Sequence, residues 1–434
     1  MLYYSTNKKS PEVDFRTTVL KGLPPDNGLY MPKHIPEMPT EFINALPNLT
    51  LQEISFQVAN AFLSEDLSED NLREIIKEAF NFDAPLAGLN NNLFTLELFH
   101  GPTLAFKDFA ARFMAKLMGY YVEQSGKELT ILVATSGDTG SAVASGFLNV
   151  PGTRVFLLYP GKKVSHIQEQ QLTTFGHNIT SLEIEGTFDD CQKITKRAFL
   201  DSELDKRFTL TSANSINITR LIPQSFYYFY AYAQARKING DPVVISVPSG
   251  NLGNITSGLI AKRLGLPIMK FVLSSNVNDV VPKYLKTGTF EPAATIKTIS
   301  NAMDVGNPSN FVRIQALYSN SIKSLREDVC GFSFNDSETI NAIKEVYKKY
   351  NYVMDPHGAV GYLGLQSYLQ QINENVNGIF IETAHPAKFF DTVEDVIGTK
   401  VEMPESLKLV LQKKKRVVKL PDSYSSFKEF LLSF

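Results

Sequence analysis

The most informative segment of this chain reads Leu98-Phe99-His100-Gly101-Pro102-Thr103-Leu104-Ala105-Phe106-Lys107-Asp108. Its Gly-Pro pair predicts a loop, and the apolar residues after Lys107 recur at helical spacing, which predicts an amphipathic helix. Lys107 is therefore expected near a helix start among apolar side chains, where burial favours its neutral amine. A neutral lysine amine can form a Schiff base with a carbonyl compound. A surface lysine whose stem covers apolar groups would give the same local pattern.

The composition is that of an ordinary globular protein, with 434 residues, 43% hydrophobic and 20% charged, and it predicts roughly two or three domains. The net charge of -2 gives no basis for binding nucleic acid or an anionic membrane. The only cysteines, Cys191 and Cys330, favour a reducing compartment. The N-terminus lacks the apolar core of a secretory signal, and no window approaches the ~20 apolar residues of a membrane span. We expect a cytoplasmic protein, monomeric or homodimeric, whose partner is a small molecule.

Strand and helix signals alternate after the Lys107 helix. The predicted order is strand 129–134, helix 139–148 and strand 154–159, then strand 242–247, helix 254–264 and strand 268–273. The aromatic run 226–232 predicts a buried helix between the two units. Strands that alternate with helices predict an α/β fold whose parallel sheets are covered on both faces.

A glycine-rich loop joins the predicted strand at 242–247 to the predicted helix at 254–264. It comprises Ser249, Gly250, Asn251, Leu252, Gly253 and Asn254. Backbone N–H groups at a helix start form an anion site, and glycines let the backbone approach the ligand. The loop lacks the lysine of a P-loop and the spacing of a dinucleotide turn. A small phosphate monoester remains, although a plain turn between strand and helix would look similar. Together with a Schiff-base lysine, the loop favours pyridoxal phosphate (PLP).

A second glycine turn follows the strand at 129–134. Its hydroxyls on Thr135, Ser136 and Thr139 suit a carboxylate or a phosphate at the helix start. Asp138 opposes an anion and would instead accept a hydrogen bond from a cofactor hydroxyl. Capping of the helix by Ser136 or Asp138 is the structural alternative.

Further polar residues lie at 211–220 and after the last predicted strand. Arg220 could clamp a phosphate in two hydrogen bonds, beside Asn214 and Ser215, or it could be a surface arginine after a capped turn. Lys388 is a second candidate for the cofactor lysine, ranked below Lys107 because its stretch is polar. The histidines lack the spacing of a metal site, so no metal is predicted.

These motifs resemble those of a known family. His-Gly-Pro-Thr-x-Ala-Phe-Lys-Asp, which ends at Asp108, is similar to the cofactor-lysine signature of threonine synthases, and residues 249–254 resemble their PLP phosphate cup. The resemblance extends from about residue 15 to about residue 396. It includes segments 276–279 and 300–305, which are familiar from the shorter bacterial and fungal type.

The resemblance implies a fold-type II PLP enzyme, similar to the tryptophan synthase β subunit, with two parallel-sheet domains after an N-terminal helical and loop region. The expected limits are 1–85 for the N-terminal region, 86–127 with 216–434 for the large PLP-binding domain, and 128–215 for the small domain. The implied activity is that of a carbon–oxygen lyase acting on phosphates. It converts O-phospho-L-homoserine and water to L-threonine and phosphate by γ-elimination and β-addition of water.

The resemblance also implies roles for individual residues. Lys107 is the catalytic lysine that carries PLP, Asp138 bonds the ring hydroxyl where related enzymes often have asparagine, and Thr383 faces the pyridine nitrogen. The substrate residues are Thr135, Ser136, Thr139, Asn214, Ser215 and Arg220. Two alternatives stay open: a serine/threonine dehydratase-like lyase, which needs no site for a γ-phosphate, and a catalytically silent homologue that binds phosphorylated ligands.

Overall fold

The structure is a computed structural model that describes residues 1–161 and 164–434. Its strands are β1 (Leu2–Ser5), β2 (Val13–Asp14), β3 (Tyr30–Pro32), β4 (Leu86–Gly88), β5 (Leu93–Glu97), β6 (Leu129–Ala134), β7 (Thr153–Pro160), β8 (Ile179–Glu185), β9 (Thr209–Ser212), β10 (Val243–Pro248), β11 (Ile268–Ser275), β12 (Val329–Ser333), β13 (Asn377–Glu382) and β14 (Val418–Pro421).

The helices of the same described ranges are α1 (Phe15–Lys21), α2 (Thr40–Ala45), α3 (Leu51–Leu63), α4 (Glu69–Ala79), α5 (Lys107–Ser125), α6 (Asp138–Phe147), α7 (His166–Thr173), α8 (Phe188–Phe199), α9 (Ser202–Arg207), α10 (Ile222–Ile238), α11 (Gly253–Arg263), α12 (Val280–Thr287), α13 (Phe311–Leu317), α14 (Ile322–Asp328), α15 (Asp336–Tyr350), α16 (Pro356–Leu369), α17 (Phe390–Ile397), α18 (Glu405–Leu411) and α19 (Tyr424–Leu432). Short 3-10 helices lie at Leu46–Asn48, Ile218–Arg220, Asn301–Met303 and Pro386–Phe389. No helix of the described chain is long and apolar enough to cross a membrane.

Two largely parallel sheets form the frame of the molecule. One has the order β12-β11-β10-β13-β5-β4, antiparallel only at β4, and the other has the all-parallel order β14-β8-β7-β6-β9. A small antiparallel sheet, β2-β1-β3, belongs to the N-terminal region. The predicted α/β fold with two parallel sheets is confirmed. The reason is local, since β6 and β10 are continuous apolar runs buried along their whole length, as a strand covered on both faces must be.

The helices follow the sequence patterns closely. Helix α5 begins at Lys107 and ends at Ser125, and Gly126 caps it with a left-handed φ of 62°. Helix α10 carries the aromatic run, and Phe226, Tyr227 and Tyr228 are fully buried in the main core. The predicted aromatic helix is therefore core.

The carboxyl ends of β5, β10 and β13 lie at one edge of the six-stranded sheet, because these neighbouring strands are parallel. Ligands of open α/β sheets bind outside such carboxyl ends. The segment that leads to Lys107 follows β5, the glycine loop follows β10, and Thr383 follows β13. Sheet topology alone therefore assembles three parts of the predicted site.

One element departs from the predicted domain limits. The sequence predicts that residues 418–434 belong to the large domain, but β14 pairs with β8 at the edge of the five-stranded sheet. The helix that follows buries Phe427 and Leu431 in the core of that same sheet. The apolar face of α19 thus has its partner in the small domain, and apart from this segment the domain limits remain a prediction.

Candidate active site

The segment before Lys107 is held by backbone hydrogen bonds to the end of β13. Phe106 N donates to Thr383 O at 2.9 Å, and His385 N donates to Leu104 O at 3.0 Å. Leu104 takes a left-handed φ of 59° within this turn. Because the segment is tied to the sheet edge, the start of α5 is placed next to Thr383.

The surroundings of Lys107 favour its neutral amine. Burial lowers the pKa of Lys107 to about 8; the carboxylate of Asp138 opposes this shift, and the positive charges of Lys388 and Arg220 reinforce it. Part of the side chain remains accessible. The lysine can therefore react as a free amine near neutral pH.

The glycine loop between β10 and α11 presents unused donors. The backbone N–H groups from Gly250 to Asn254 make no hydrogen bond to another residue of the described chain. Asn254 accepts a bond from each of the Tyr227 and Tyr228 hydroxyls at 2.6 Å, which leaves its buried Nδ2 without a partner in that part of the chain. Free N–H groups and an orphaned amide at a helix start fit a phosphate group.

The shape of this loop depends on Gly250. A Cβ at that position would lie 2.7 Å from both Ala302 O and Met303 Cα, which are backbone atoms of the neighbouring segment. Leu252 takes a left-handed φ of 63° immediately before α11 begins. The loop is therefore fitted closely against residues 302 and 303.

The second turn, between β6 and α6, uses one of its predicted ligands for its own structure. Thr135 Oγ1 accepts from Gly137 N at 3.0 Å and from Gly140 N at 2.9 Å. Gly137 has a φ of 143°, which favours glycine. Ser136 is exposed and Thr139 is half-buried, so their hydroxyls remain accessible. The hydroxyl of Thr135 closes the turn, whereas a ligand role for Ser136 and Thr139 stays a prediction.

Asp138 forms a buried ion pair that the sequence did not indicate. Lys388 Nζ lies 2.7 Å from Asp138 Oδ1 and donates to Thr103 O at 3.0 Å. Gln168 Nε2 also donates to Asp138 Oδ1, at 3.3 Å. Burial by itself raises the pKa of Asp138, but the charges of Lys388 and Lys107 outweigh it and hold that pKa well below its usual range. Asp138 is thus ionised.

The polar sequence around Lys388 predicts a solvated side chain, and this prediction is wrong. Its stretch is polar in sequence, yet the side chain is fully buried against Asp138. The signal that could have revealed it is its position just after a buried strand, between Ala387 and Phe389. The amine is occupied by its ion pair, so Lys107 remains the candidate for the cofactor lysine.

Asn214 and Ser215 connect the two turns, and Arg220 follows them in the same segment. Asn214 Nδ2 donates to Ala134 O at 2.8 Å, beside the second turn, whereas Ser215 Oγ accepts from Asn251 Nδ2 at 3.0 Å, in the glycine loop. Arg220 is buried, and its Nη1 donates to Ala213 O at 2.6 Å. Its Nε has no partner within the described residues, and burial lowers its pKa to about 10. A buried guanidinium with a free donor fits an anionic ligand.

The histidines serve structural roles or lie at the periphery. His357 Nδ1 lies 2.5 Å from Asp355 Oδ1, and its Nε2 accepts from Ala302 N at 3.1 Å, so it supports the segment that packs on Gly250. His100 pairs with Glu97 at 2.8 Å. Across residues 1–161 and 164–434, no group of three or more His, Cys, Asp or Glu side chains is placed to hold a metal.

Comparison with known proteins agrees with this arrangement. Sequence profiles described as "Threonine synthase N terminus", "Pyridoxal-phosphate dependent enzyme" and "Threonine synthase, C-terminal" match residues 2–80, 81–384 and 358–431. The chain is 46% identical over 407 residues to the threonine synthase of Haemophilus influenzae, with 94% of each chain covered. The chain belongs to the threonine synthase family. The crystal structure of threonine synthase from Escherichia coli matches it with a TM-score of 0.93 at 40% identity and covers 100% of both chains.

Threonine synthases are PLP-dependent, and the residues present here fit that cofactor. A crystal structure of PLP-bound threonine synthase from Brucella melitensis matches this chain with a TM-score of 0.92 at 34% identity, covering 99% of this chain and 98% of that one. The predicted family, fold type and cofactor are confirmed. The comparisons give no support to a dehydratase-like lyase or to a silent homologue.

Proposed function

We propose that this chain converts O-phospho-L-homoserine and water to L-threonine and inorganic phosphate, as a carbon–oxygen lyase acting on phosphates. One observation carries the proposal: a lysine of lowered pKa shares its surroundings with a buried arginine that keeps a free donor, beside a separate phosphate-type loop. A cofactor phosphate needs one anion site. A substrate with a γ-phosphate needs a second one, which a dehydratase would not use.

Four parts of the site would hold the cofactor. Lys107 would bind it covalently, the free N–H groups of residues 250–254 would hold its phosphate, and Thr383 would face the pyridine nitrogen; the N–H of Ser249 is not among them, because it donates to Ser274 O at 2.8 Å. Lys388 and Gln168 both bond Asp138 Oδ1, so Oδ2 of Asp138 is left to accept from the ring hydroxyl. Bound pyridoxal phosphate supplies an electron-withdrawing ring that acidifies the protons on Cα and Cβ of the substrate.

The chain itself supplies the proton transfers and the substrate contacts. With a pKa of about 8, Lys107 is the group suited to take and return protons at carbon. Such acid–base steps each contribute about 10²–10⁴ in rate. Arg220 and Asn214 would hold the γ-phosphate and stabilise it as it leaves. Ser136 and Thr139, at the start of α6, would hold the substrate carboxylate, where the helix dipole favours an anion.

The deciding experiment is an assay of both products from O-phosphohomoserine. The purified, PLP-loaded protein should release inorganic phosphate and L-threonine in equal amounts. Lys107→Ala should abolish both, because it removes the covalent attachment and the base together. Lys116→Ala is the matched control in the same helix; its side chain is exposed and pairs with Glu78 at 2.5 Å, so turnover should stay at the wild-type level.

Three outcomes would contradict the proposal. Phosphate release without threonine would indicate a different fate for the carbon skeleton. Conversion of serine or threonine to a 2-oxo acid and ammonia, without turnover of the phosphorylated substrate, would support the dehydratase alternative. Tight binding of O-phosphohomoserine without any product would support the silent homologue.

A further inference from the structure

Arg313 is a buried cation for which the proposed reaction has no direct use. It lies on α13 and is fully buried. All its N–H donors are bonded to neutral oxygens: Nε and Nη2 to Tyr30 O at 3.2 Å, Nη2 to Ile216 O at 2.7 Å, Nη1 to Ser215 O at 2.8 Å and Nη1 to Asn310 Oδ1 at 2.7 Å. Burial lowers its pKa to about 9. Because burying a charge without an opposite charge is costly, the arrangement calls for a reason.

The guanidinium determines which way the Asn310 amide points. Arginine has donors and no acceptor, so the atom of Asn310 that faces Arg313 must be the oxygen. Asn310 Nδ2 then points the other way, to Ser215 Oγ at 3.1 Å and Asn251 O at 3.0 Å. The oxygen and nitrogen of an amide are hard to tell apart by shape, but here the donors of Arg313 determine which atom is which.

The amide of Asn251 is oriented by the same logic. The backbone N–H of Ser309, which can only donate, bonds Asn251 Oδ1 at 2.6 Å. Asn251 Nδ2 therefore faces Ser215 Oγ, at 3.0 Å. Two amide donors thus converge on one hydroxyl oxygen.

A hydroxyl oxygen has two acceptor positions and one hydrogen to donate. With both acceptor positions of Ser215 filled by Asn251 and Asn310, its hydrogen can only be donated to a further acceptor. Ser215 packs against the start of α11, since a Cβ built on Gly253 would lie 3.9 Å from Ser215 Oγ. That helix start is where the glycine loop presents its free N–H groups.

We propose that Arg313 and Asn310 are positioning residues that, with Asn251, hold the Ser215 hydroxyl as a hydrogen-bond donor to a phosphate monoester at the N-terminus of α11. The inference rests on the proposed function, which brings two phosphates to the site. Position favours the phosphate of the cofactor, because Ser215 contacts the glycine loop whereas Asn214 contacts the second turn. The family resemblance, in contrast, implies that Ser215 binds the phosphate of the substrate.

The test compares the binding of two ligands that differ by one phosphate. Apoenzyme is titrated with PLP and with pyridoxal, and both dissociation constants are measured. Ser215→Ala should weaken PLP binding about tenfold or more, as expected for a hydrogen bond to a charged group, with pyridoxal binding unchanged. Ser309→Ala is the control, because Ser309 acts through its backbone N–H, and both constants should stay at wild-type values.

The positioning role is tested with Arg313 retained. In Asn310→Asp one carboxylate oxygen keeps the bond to Arg313, and the other must accept from the Ser215 hydroxyl, which turns the hydrogen away from the ligand. The variant loses the bond from Asn310 Nδ2 to Asn251 O, but it pairs the buried charge of Arg313 and should still fold. Its loss of PLP affinity should equal or exceed that of Ser215→Ala, again with pyridoxal spared. Wild-type PLP affinity in Asn310→Asp would overturn the positioning role.

A second measurement identifies which phosphate is bound. With PLP saturating, the KM for O-phosphohomoserine and the inhibition constant of inorganic phosphate should be unchanged in Ser215→Ala. A rise in both constants, with PLP binding intact, would mean that the Ser215 hydroxyl donates to the phosphate of the substrate and not to that of the cofactor. If neither ligand is affected, the inference is wrong. The titrations need no turnover, so a wild-type protein that made no threonine would defeat the proposed function and leave this result standing.

Discussion

At the scale of the single residue, Lys107 shows how position changes an ordinary side chain. A lysine is normally an ammonium ion, because water solvates that charge well. Here burial removes the solvation, and two neighbouring cations, Lys388 and Arg220, add to the shift against the single opposing carboxylate of Asp138. The amine therefore loses its proton at a lower pH than an exposed lysine does.

This environment predicts an unusual pH dependence for the apoenzyme. Because only the neutral amine is a nucleophile, the rate at which an acylating reagent modifies Lys107 should rise with pH and reach half its maximum near pH 8. The rate is measured by mass spectrometry of the peptide that contains Lys107, with other lysine peptides of the digest as reference.

A charge change gives this prediction a direction that can be checked. Asp138→Asn removes the carboxylate that raises the pKa of Lys107 and leaves Lys388 unpaired beside it. The midpoint should therefore move to lower pH. A wild-type midpoint close to the ordinary lysine value, or a shift to higher pH in the variant, would refute the account.

At the scale of the element, helix α16 packs against the six-stranded sheet through glycines. Gly361 O accepts from Ser246 Oγ of β10 at 2.6 Å, and the space at Gly364 is filled by Ser274 of β11. The first turn of α16 carries His357, which supports the segment against the glycine loop. Helix packing is therefore connected to the shape of the phosphate site.

Gly364→Ala should destabilise the protein although alanine favours helices. The new Cβ would lie 1.9 Å from Ser274 Oγ and 2.9 Å from Ser274 Cβ, so helix and sheet must separate. Such overpacking costs about 1–3 kcal/mol, against a propensity gain of at most about 1 kcal/mol. We expect a net loss in the free energy of unfolding, measured by urea denaturation.

Gly361→Ala in the same helix is the matched comparison. Its Cβ would approach Pro248 no closer than 3.3 Å, and the gain in helix propensity is the same. Gly361→Ala should therefore be the more stable of the two variants. Equal stabilities would mean that the contact with Ser274 relaxes freely, contrary to the packing argument.

At the scale of the whole molecule, a polar cluster joins the two parallel sheets beside Lys107. Asp138 begins α6, which follows β6 of the five-stranded sheet, whereas Lys388 follows β13 of the other. Gln171, on α7, donates to Thr103 O at 3.1 Å and adds a second link. The relative position of the sheets is thus coupled to the charge balance at the reactive lysine.

Removing one partner of this buried pair should destabilise the fold strongly. Lys388→Met would leave the Asp138 carboxylate buried without its cation, a loss of about 3–5 kcal/mol. The double variant Asp138→Asn/Lys388→Met removes both charges and should regain most of it. Urea unfolding of the apoenzyme measures both, and a double variant no more stable than Lys388→Met would contradict the pairing.

The Asp138–Lys388 pair also predicts in which direction the stability of the fold changes with pH. The pKa of Asp138 is lower in the folded protein than in the unfolded chain. Its stabilising contribution is therefore present above the ordinary carboxyl range and is lost as the pH falls through that range and below. The wild-type protein should lose this contribution in acid, and the double variant should lack that part of the pH dependence.

Much of the fold and several candidate ligands could be predicted from local pattern. The helix start at Lys107, the strand–helix units and the glycine loop each depend on residues within one strand, one turn or one helix, so their spacing is visible along the chain. Parallel pairing of the strands then brings Lys107, the glycine loop and Thr383 to one edge. Two buried donors without a partner in the described chain, Asn254 Nδ2 and Arg220 Nε, are consistent with the anion sites that the sequence predicts.

Other features arose only when distant segments met in space. The burial of Lys388, its pairing with Asp138 across 250 positions, the place of β14 and the direction of the Ser215 hydroxyl all depend on which elements pack together. A charged side chain has the same sequence signature whether water or a carboxylate surrounds it. Its partner, and therefore its protonation and its role, is set by contacts that no local spacing encodes.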